Sequence, residues 1–279
     1  MDAVAFMQAL PTAFTEQGVR DGAPRDDRFQ QIVDATEGFT TANVLAVLHL
    51  AVSMMPADEA YLEVGTYQGR SLCGVMNGRE QGHFFAVENF LEFGMLGATA
   101  RQALHSNLER WARSSLLTLL EGDSFDVLAR PQVVPTPVGV YFYDGAHTAL
   151  THYLALGIVE PLLADSALVL VDDAGWPVVR RATERYLRSR PQWRVLHEFR
   201  PERDDDPRWA NGLMLLEYRR QAGDSRALSR DVTWRASAYA AAERPLSRAA
   251  WHFIHEHPSV VPALKRLVPT RGRRVRRGA

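Results

Sequence analysis

The chain has one cysteine in 279 residues, at position 73. A single thiol builds neither an intrachain disulfide framework nor a cysteine-based zinc site. Cys73 falls on the apolar side of a helical pattern and reads as a buried spectator rather than a nucleophile. Long apolar runs are missing too. No stretch reaches the about 18 uncharged apolar residues that mark a membrane span, so none is expected. The opening MDAVAFMQALPTAF lacks the basic start of a secretory signal and carries Asp2. Lysine is nearly absent, Lys265 being the only one beside many arginines. The formal net charge is −1 and points to no class of partner. Also missing is G-x-G-x-x-G, the dinucleotide fingerprint. What remains, 46% hydrophobic and 23% charged residues, is the composition of a globular protein of the reducing cytoplasm.

An alternation of short apolar strands and helical stretches fills the middle of the chain. Strands are expected at 60–64, 84–88, 116–120, 139–143, 167–172, 193–198 and 212–218. Helical patterns lie at 70–78, 94–112, 148–163 and 177–190. Strands separated by helices of that length indicate βαβ units and a mostly parallel sheet. No helix-length segment separates the last two strands, so they should pair antiparallel at one edge. Three regions follow: an N-terminal helical lid (1–56), the α/β domain (57–220) and a helical extension with a basic tail (221–279). Thr40 or Thr41 is placed to cap a helix ending before Pro56. In the extension, Pro245, Pro258 and Pro262 are expected to break the helix into pieces. The arginine run at 271–277 reads as a solvated terminus, with nucleic acid as the minor alternative.

The junction YLEVGTYQGRS, residues 61–71, places Gly65 and Gly69 in a turn between strand and helix. Glycine there allows close backbone approach and unusual φ. Glu88 ends the second strand, where a carboxylate grips ribose hydroxyls in nucleotide-binding sheets. Together these point to a nucleoside ligand. Asp144 ends the fourth strand, and Asp172 and Asp173 end the fifth. Adjacent strands lie about 4.8 Å apart, so these carboxylates should converge beyond the sheet's carboxyl edge. An all-oxygen set suits Mg²⁺, or Ca²⁺ or Mn²⁺. The other reading is that one of the paired aspartates caps the next helix, which Pro177 helps to start.

These segments resemble class I S-adenosylmethionine-dependent methyltransferases, and more narrowly the macrocin and novobiocin type of natural-product O-methyltransferase. The likeness covers roughly residues 35–218. It rests on YLEVGTYQGRS, on FFAVEN with Glu88, on LLEGDS with Gly122, Asp123 and Ser124, and on VYFYDGAHT, LVLVDD and NGLMLLEY. The resemblance implies a Rossmann-like seven-stranded sheet of order 3-2-1-4-5-7-6, helices on both faces and an antiparallel last strand. It implies S-adenosylmethionine held by Glu63, Gly65, Tyr67, Gly69, Ser71, Glu88, Gly122, Asp123, Ser124 and Asp144. In the metal-dependent relatives, the positions matching Asp144, Asp172 and Asp173 hold a divalent cation.

His147 lies three residues after Asp144, where relatives carry a lysine base. Either it accepts the acceptor's proton or it only packs in the turn; Asp144 is the rival base. The expected activity is methylation of a small-molecule hydroxyl. Alternatives are a metal-independent N- or O-methyltransferase and a nicotinamide-dependent oxidoreductase. A small-molecule acceptor is the expected partner, and a homo-oligomer stays open. Trp176, Trp209 and Asn211 are candidates for an acceptor pocket. His152 is expected to pack or face outward. Asp204–Asp206 reads as a solvated turn, and HFIHEH (252–257) as a surface helix.

Overall fold

The structure, a computed structural model, describes residues 1–91, 95–201, 203 and 205–257. The arginine run at 271–277, Asp204, Pro258 and Pro262 lie outside these residues, as does the side chain of His255.

The N-terminal segment folds as helices α1 (Ala3–Ala9), α2 (Gly18–Asp21), α3 (Arg28–Ala35) and α4 (Ala42–Ser53). Thr41 caps α4, its hydroxyl accepting the Val44 N–H at 3.4 Å. The α/β part then runs β1 (Ala60–Val64), α5 (Arg70–Met76), β2 (His83–Glu88), α6 (Met95–Trp111) and β3 (Leu117–Glu121). It continues through α7 (Ser124–Leu128), β4 (Val138–Tyr143), α8 (Ala149–Val159), β5 (Leu163–Asp172) and α9 (Pro177–Leu187) to β6 (Trp193–Phe199) and β7 (Leu213–Arg219).

The sheet has seven strands in the order β3-β2-β1-β4-β5-β7-β6. Only β7 is antiparallel to its neighbours, β5 and β6. Both faces are covered, so β1 and β4 are buried at every position. Successive residues serve opposite layers. Tyr61, Phe142 and Leu170 pack with α4, α5 and the N-terminal Phe6, Phe14 and Phe29. Leu62, Tyr143 and Val171 pack in the other layer with residues of α7 and α8. The N-terminal helices thus share the core of one layer. Among the described residues, no helix is long and apolar enough to cross a membrane.

The C-terminal extension differs from the expectation at Pro245. Helices α10 (Arg230–Ala238) and α11 (Arg244–Glu256) are joined without a break by a π-helical turn, Tyr239–Glu243. Proline lacks the N–H that a regular helix needs at that position. The wider turn, closed by the Arg244 N–H on the Tyr239 carbonyl, carries the chain past it.

Candidate active site

The strand order reverses between β1 and β4, where a doubly wound sheet opens a crevice beyond its carboxyl ends. A cleft of about 280 Å³ lies there, reaching from Asp144 and His147 past Gly65 and Glu88 to Gly122, Asp123 and Tyr239.

Left-handed backbone shapes the turn after β1: φ is +88° at Gly65, +48° at Tyr67 and +80° at Gly69. The two glycines serve different neighbours. A Cβ on Gly65 would lie 2.0 Å from the Asp144 carbonyl oxygen, so glycine lets the tips of β1 and β4 close together. A Cβ on Gly69 would lie 2.3 Å from Leu104 of α6, and Gly69 does not line the cleft. Glu88 braces this turn. Its Oε2 accepts the N–H groups of Thr66 (2.9 Å) and Tyr67 (2.8 Å). Its Oε1 accepts those of Asn89 (2.8 Å) and Phe90 (3.0 Å). These donors occupy the roughly four acceptor sites of a carboxylate, so a ligand hydroxyl at Glu88 has to share or displace one of them.

Glu63 lies beneath the cleft, fully buried. Its carboxylate accepts the Tyr61 hydroxyl at 2.6 Å and the Ser71 hydroxyl at 2.8 Å. Burial raises its pKa to about 7 against the pull of those two bonds. Ser71 reaches only a smaller side pocket below the turn. Burial pushes the Cys73 thiol up to about 12, which leaves it an inert packing group.

At the β4–β5 end, Asp144, His147 and Asp173 offer ligand atoms within 4.8 Å of one another. His147 Nε2 is 2.6 Å from Asp173 Oδ2 and 3.8 Å from Asp144 Oδ1. The closer contact is an ion pair without hydrogen-bond alignment. This trio differs from the expected three aspartates, because Asp172 is outside it. Successive strand residues point to opposite faces. Asp172 is the last residue of β5, paired with Leu213, whereas Asp173 leaves the strand with φ +55°. Asp172 Oδ1 is buried with no hydrogen-bond partner among the described residues. Neither aspartate caps α9, whose N-cap is Trp176 without a side-chain bond.

Charge is concentrated at this end. Burial, with Asp173 nearby, pushes Asp144 up to about 6, against the pull of His147. Burial likewise raises Asp172, helped by Asp144 and Asp173. Burial pulls His147 down, but the two carboxylates outweigh it and push it up to about 10. Without a cation its ring is therefore an imidazolium near neutral pH, able to give a proton but not to take one.

The β3 end is built differently. Asp123 caps α7, its Oδ1 accepting the Phe125 N–H at 3.1 Å. The Tyr239 hydroxyl donates to Asp123 Oδ2 at 3.0 Å. The Tyr239 ring stands edge-on to Phe125, with centroids 4.8 Å apart at 74°. Phe39, 78% exposed, overhangs the mouth and stacks on Tyr67 at 6.0 Å. Its loop is held by Arg70, which donates to the carbonyls of Thr36 and Thr40 at 2.9 Å each.

Of the residues named from sequence, Gly65, Tyr67, Glu88, Gly122, Asp123, Ser124, Asp144 and His147 line the cleft, whereas Glu63, Gly69 and Ser71 support it from below. Phe39, Phe125, Tyr143 and Tyr239 line it as well and were not anticipated. Phe125 directly follows the LLEGDS segment and was within reach of that motif; Tyr239 carried no local signal. Trp176 stands edge-on to His147 at 5.2 Å. Trp209 belongs to the core, stacked on Phe199 at 3.8 Å with its indole N–H on the Arg20 carbonyl. His152 is buried and packs edge-on to Tyr143. Asp206 closes a turn by accepting the N–H groups of Arg208 and Trp209 at 2.9 and 3.1 Å. His252 is exposed and pairs with Glu256 at 3.2 Å.

Residues 62–174 match a family described as a methyltransferase domain. No curated protein sequence matches the chain. Among solved structures, a putative O-methyltransferase from Klebsiella pneumoniae superposes with a TM-score of 0.54 at 16% identity, covering 71% of this chain and 92% of that one. The O-methyltransferase TomG from Streptomyces achromogenes, involved in tomaymycin synthesis and solved with SAM, gives 0.53 at 18% identity over 71% and 92%. An O-methyltransferase from Bacillus cereus in complex with SAH gives 0.51 at 14% identity over 70% and 92%. At these identities the likeness establishes the shared fold.

Proposed function

We propose that this chain is an S-adenosylmethionine-dependent methyltransferase that methylates a hydroxyl of a small natural product, a reading supported by the methyltransferase-domain match over residues 62–174. We further propose that Asp144, His147 and Asp173 hold a divalent cation. The domain match supports this reading over the nicotinamide alternative. One observation carries the finer reading: a single cleft joins an aromatic-walled end at Phe125 and Tyr239 to Asp144 and His147, with buried Asp173 against His147 behind the cleft wall.

S-adenosylmethionine supplies an electrophilic methyl on a sulfonium that leaves without needing an acid. What remains for the protein is alignment and a place for one proton. The flat apolar walls at the β3 end suit a purine. Glu88, midway, suits the ribose once one of its four backbone donors yields. The polar end then falls to the acceptor hydroxyl. Exposed Phe39, stacked at the mouth on half-buried Tyr67, suits an aromatic or ring-shaped acceptor.

The donor set fits a cation. Two carboxylates and one imidazole converge, and beside them Asp172 Oδ1 is buried without a hydrogen-bond partner among the described residues. Oxygen donors suit Mg²⁺, and the single imidazole favours Mn²⁺ over it. Such an ion supplies charge stabilisation for a developing acceptor oxyanion. In a cation-free enzyme, Asp144 rather than His147 takes the proton. With its pKa at about 6, Asp144 is mostly ionised at neutral pH, while the two carboxylates keep His147 protonated.

The test has two arms. Calorimetry with S-adenosylhomocysteine should show binding. Turnover on a panel of phenols and glycosides should fall with chelator and return with Mn²⁺ or Mg²⁺. Full turnover in chelator would discard the cation while leaving the methyltransferase standing.

A further inference from the structure

We propose that Tyr239, carried by the C-terminal extension, is a cofactor-binding residue that completes the base end of the cleft. This rests on the S-adenosylmethionine reading above. The matched methyltransferase segment ends at residue 174, so this wall comes from a part of the chain that the family model does not contain.

The polarity of the cleft fixes which end takes the base. The strand tips run β3, β2, β1, β4, and neighbouring strands lie about 4.8 Å apart, so the two ends are separated by roughly 14 Å. The reacting methyl belongs beside Asp144 and His147, the groups able to manage a proton. The far end of an extended adenosyl ligand therefore falls among Gly122, Asp123, Phe125 and Tyr239. There Tyr239 does two things. Its ring, edge-on to Phe125 at 4.8 Å, forms one corner of an aromatic wall suited to a planar base. Its hydroxyl donates to Asp123 Oδ2 at 3.0 Å while the Phe125 N–H holds Oδ1 at 3.1 Å. An ionised carboxylate only accepts hydrogen bonds. Held at both oxygens, Asp123 keeps its remaining lone pairs in a fixed direction, which favours an amino-bearing purine edge and disfavours a keto one.

The extension is anchored where this role needs it. Val232 of α10 sits against Gly157 of α8, where a Cβ would come within 2.4 Å of Val232 Cγ2. The Tyr153 hydroxyl donates to Asp231 at 2.5 Å, the Thr148 hydroxyl donates to Glu243, and Arg244 pairs with Asp126. Tyr239 opens the π-helical turn between the Asp231 and Arg244 anchors. Turns of this kind are uncommon and concentrate at functional sites.

The experiment is calorimetric titration of the full chain with S-adenosylhomocysteine and with its 6-keto analogue, S-inosylhomocysteine. Wild type, Tyr239→Phe, Tyr239→Ala and Val232→Ala are compared, each first checked for an intact cooperative melt. The wild type should prefer the amino ligand by about tenfold or more, the size of one well-placed hydrogen-bond preference. Tyr239→Phe keeps the ring, so S-adenosylhomocysteine binding should weaken only a few-fold while the preference shrinks. Tyr239→Ala should lose about tenfold or more in affinity for both ligands. Val232→Ala loosens the same helix without touching the cleft, so it should leave the preference unchanged. If wild type binds S-adenosylhomocysteine and both Tyr239 variants match it within twofold with the same preference, this inference is wrong and the cofactor reading survives. If wild type ignores the ligand, both fall.

Discussion

The two ends of the cleft are built on different plans. The Asp144–His147–Asp173 end comes from the tips of two adjacent central strands and one short turn, all within about thirty residues of sequence. The Asp123–Tyr239 end joins residues 116 positions apart and depends on a helix beyond the sheet. The first end concentrates titratable groups and, on the proposed reading, carries the chemistry. The second concentrates aromatic surface and fixed hydrogen bonds and, on the same reading, carries recognition. A doubly wound sheet supplies the first arrangement by its topology alone; the second has to be added by whatever packs against the sheet edge.

Glycine replacement gives the largest contrast. Gly65→Ala places a Cβ 2.0 Å from the Asp144 carbonyl at a residue with φ +88°. Backbone strain plus overpacking should cost about 4 kcal/mol, read by urea denaturation. At the other end, Gly122→Ala meets only Val127 Cγ2 at 3.0 Å, with φ +141°. Its cost should be about 1–2 kcal/mol, since a side-chain methyl can yield where a strand carbonyl cannot. Equal losses would show that the two ends are equally rigid.

Carboxylate replacement should split kinetics from binding. Asp144→Asn should lower turnover by about a hundredfold and leave S-adenosylhomocysteine affinity within about threefold. Asp123→Asn keeps a helix-capping side chain but turns half the acceptor into a donor. It should weaken cofactor affinity about tenfold and leave saturated turnover nearly intact. Reversed outcomes would invert the assignment of the two ends.

The same division decided what could be read from sequence. The seven strands and the turn at 65–69 were legible, because apolar runs, helix spacing and glycine position are local signals; the strand order came from the resemblance to class I methyltransferases. Asp144 and His147 were legible for the same reason. The grouping of His147 with Asp144 and Asp173 was not. Whether Asp172 or Asp173 meets Asp144 depends on where β5 ends, and a one-residue step changes the face. Glu88 was read as a ribose-gripping carboxylate; that it also braces the turn was not legible, because its four backbone donors come from two loops that only the fold brings together. Tyr239 was invisible, since nothing near it in sequence speaks of a nucleoside. Pro245 actively misled: it signals a helix break, and the π-helical turn absorbs it.

The acid end should also reveal itself in the pH dependence of stability. Burial, with the charge of His147 nearby, pushes His152 down to about 3. A depressed histidine contributes stability fully above its unfolded value of about 6.5 and loses it as pH falls toward the folded value. At pH 5 the loss from this group is about 2 kcal/mol. Glu63 and Asp144, raised to about 7 and about 6, work in the opposite direction. Each contributes stability that is present below its unfolded pKa and lost as pH rises through the folded one. The informative quantity is therefore the difference between wild type and His152→Gln, which should change by about 2 kcal/mol between pH 7 and 5. A flat difference would mean that the ring is charged or hydrated in the folded protein.

The smallest effect belongs to the surface charge beside the base end. Arg244 pairs with Asp126 and stands 3.9 Å from Asp123 Oδ2, with side-chain exposures of 21% for Arg244 and 54% for Asp126. Water and salt screen a pair this exposed, so Arg244→Ala should cost only about 0.5 kcal/mol in thermal or urea unfolding. Affinity for S-adenosylhomocysteine should fall less than about twofold at physiological salt, because the ring and hydroxyl of Tyr239 stay in place. A larger loss that disappears in about 1 M salt would show that charge, rather than the aromatic wall, organises recognition at this end. The contrast between a charged reacting end and an aromatic binding end would then have to be given up.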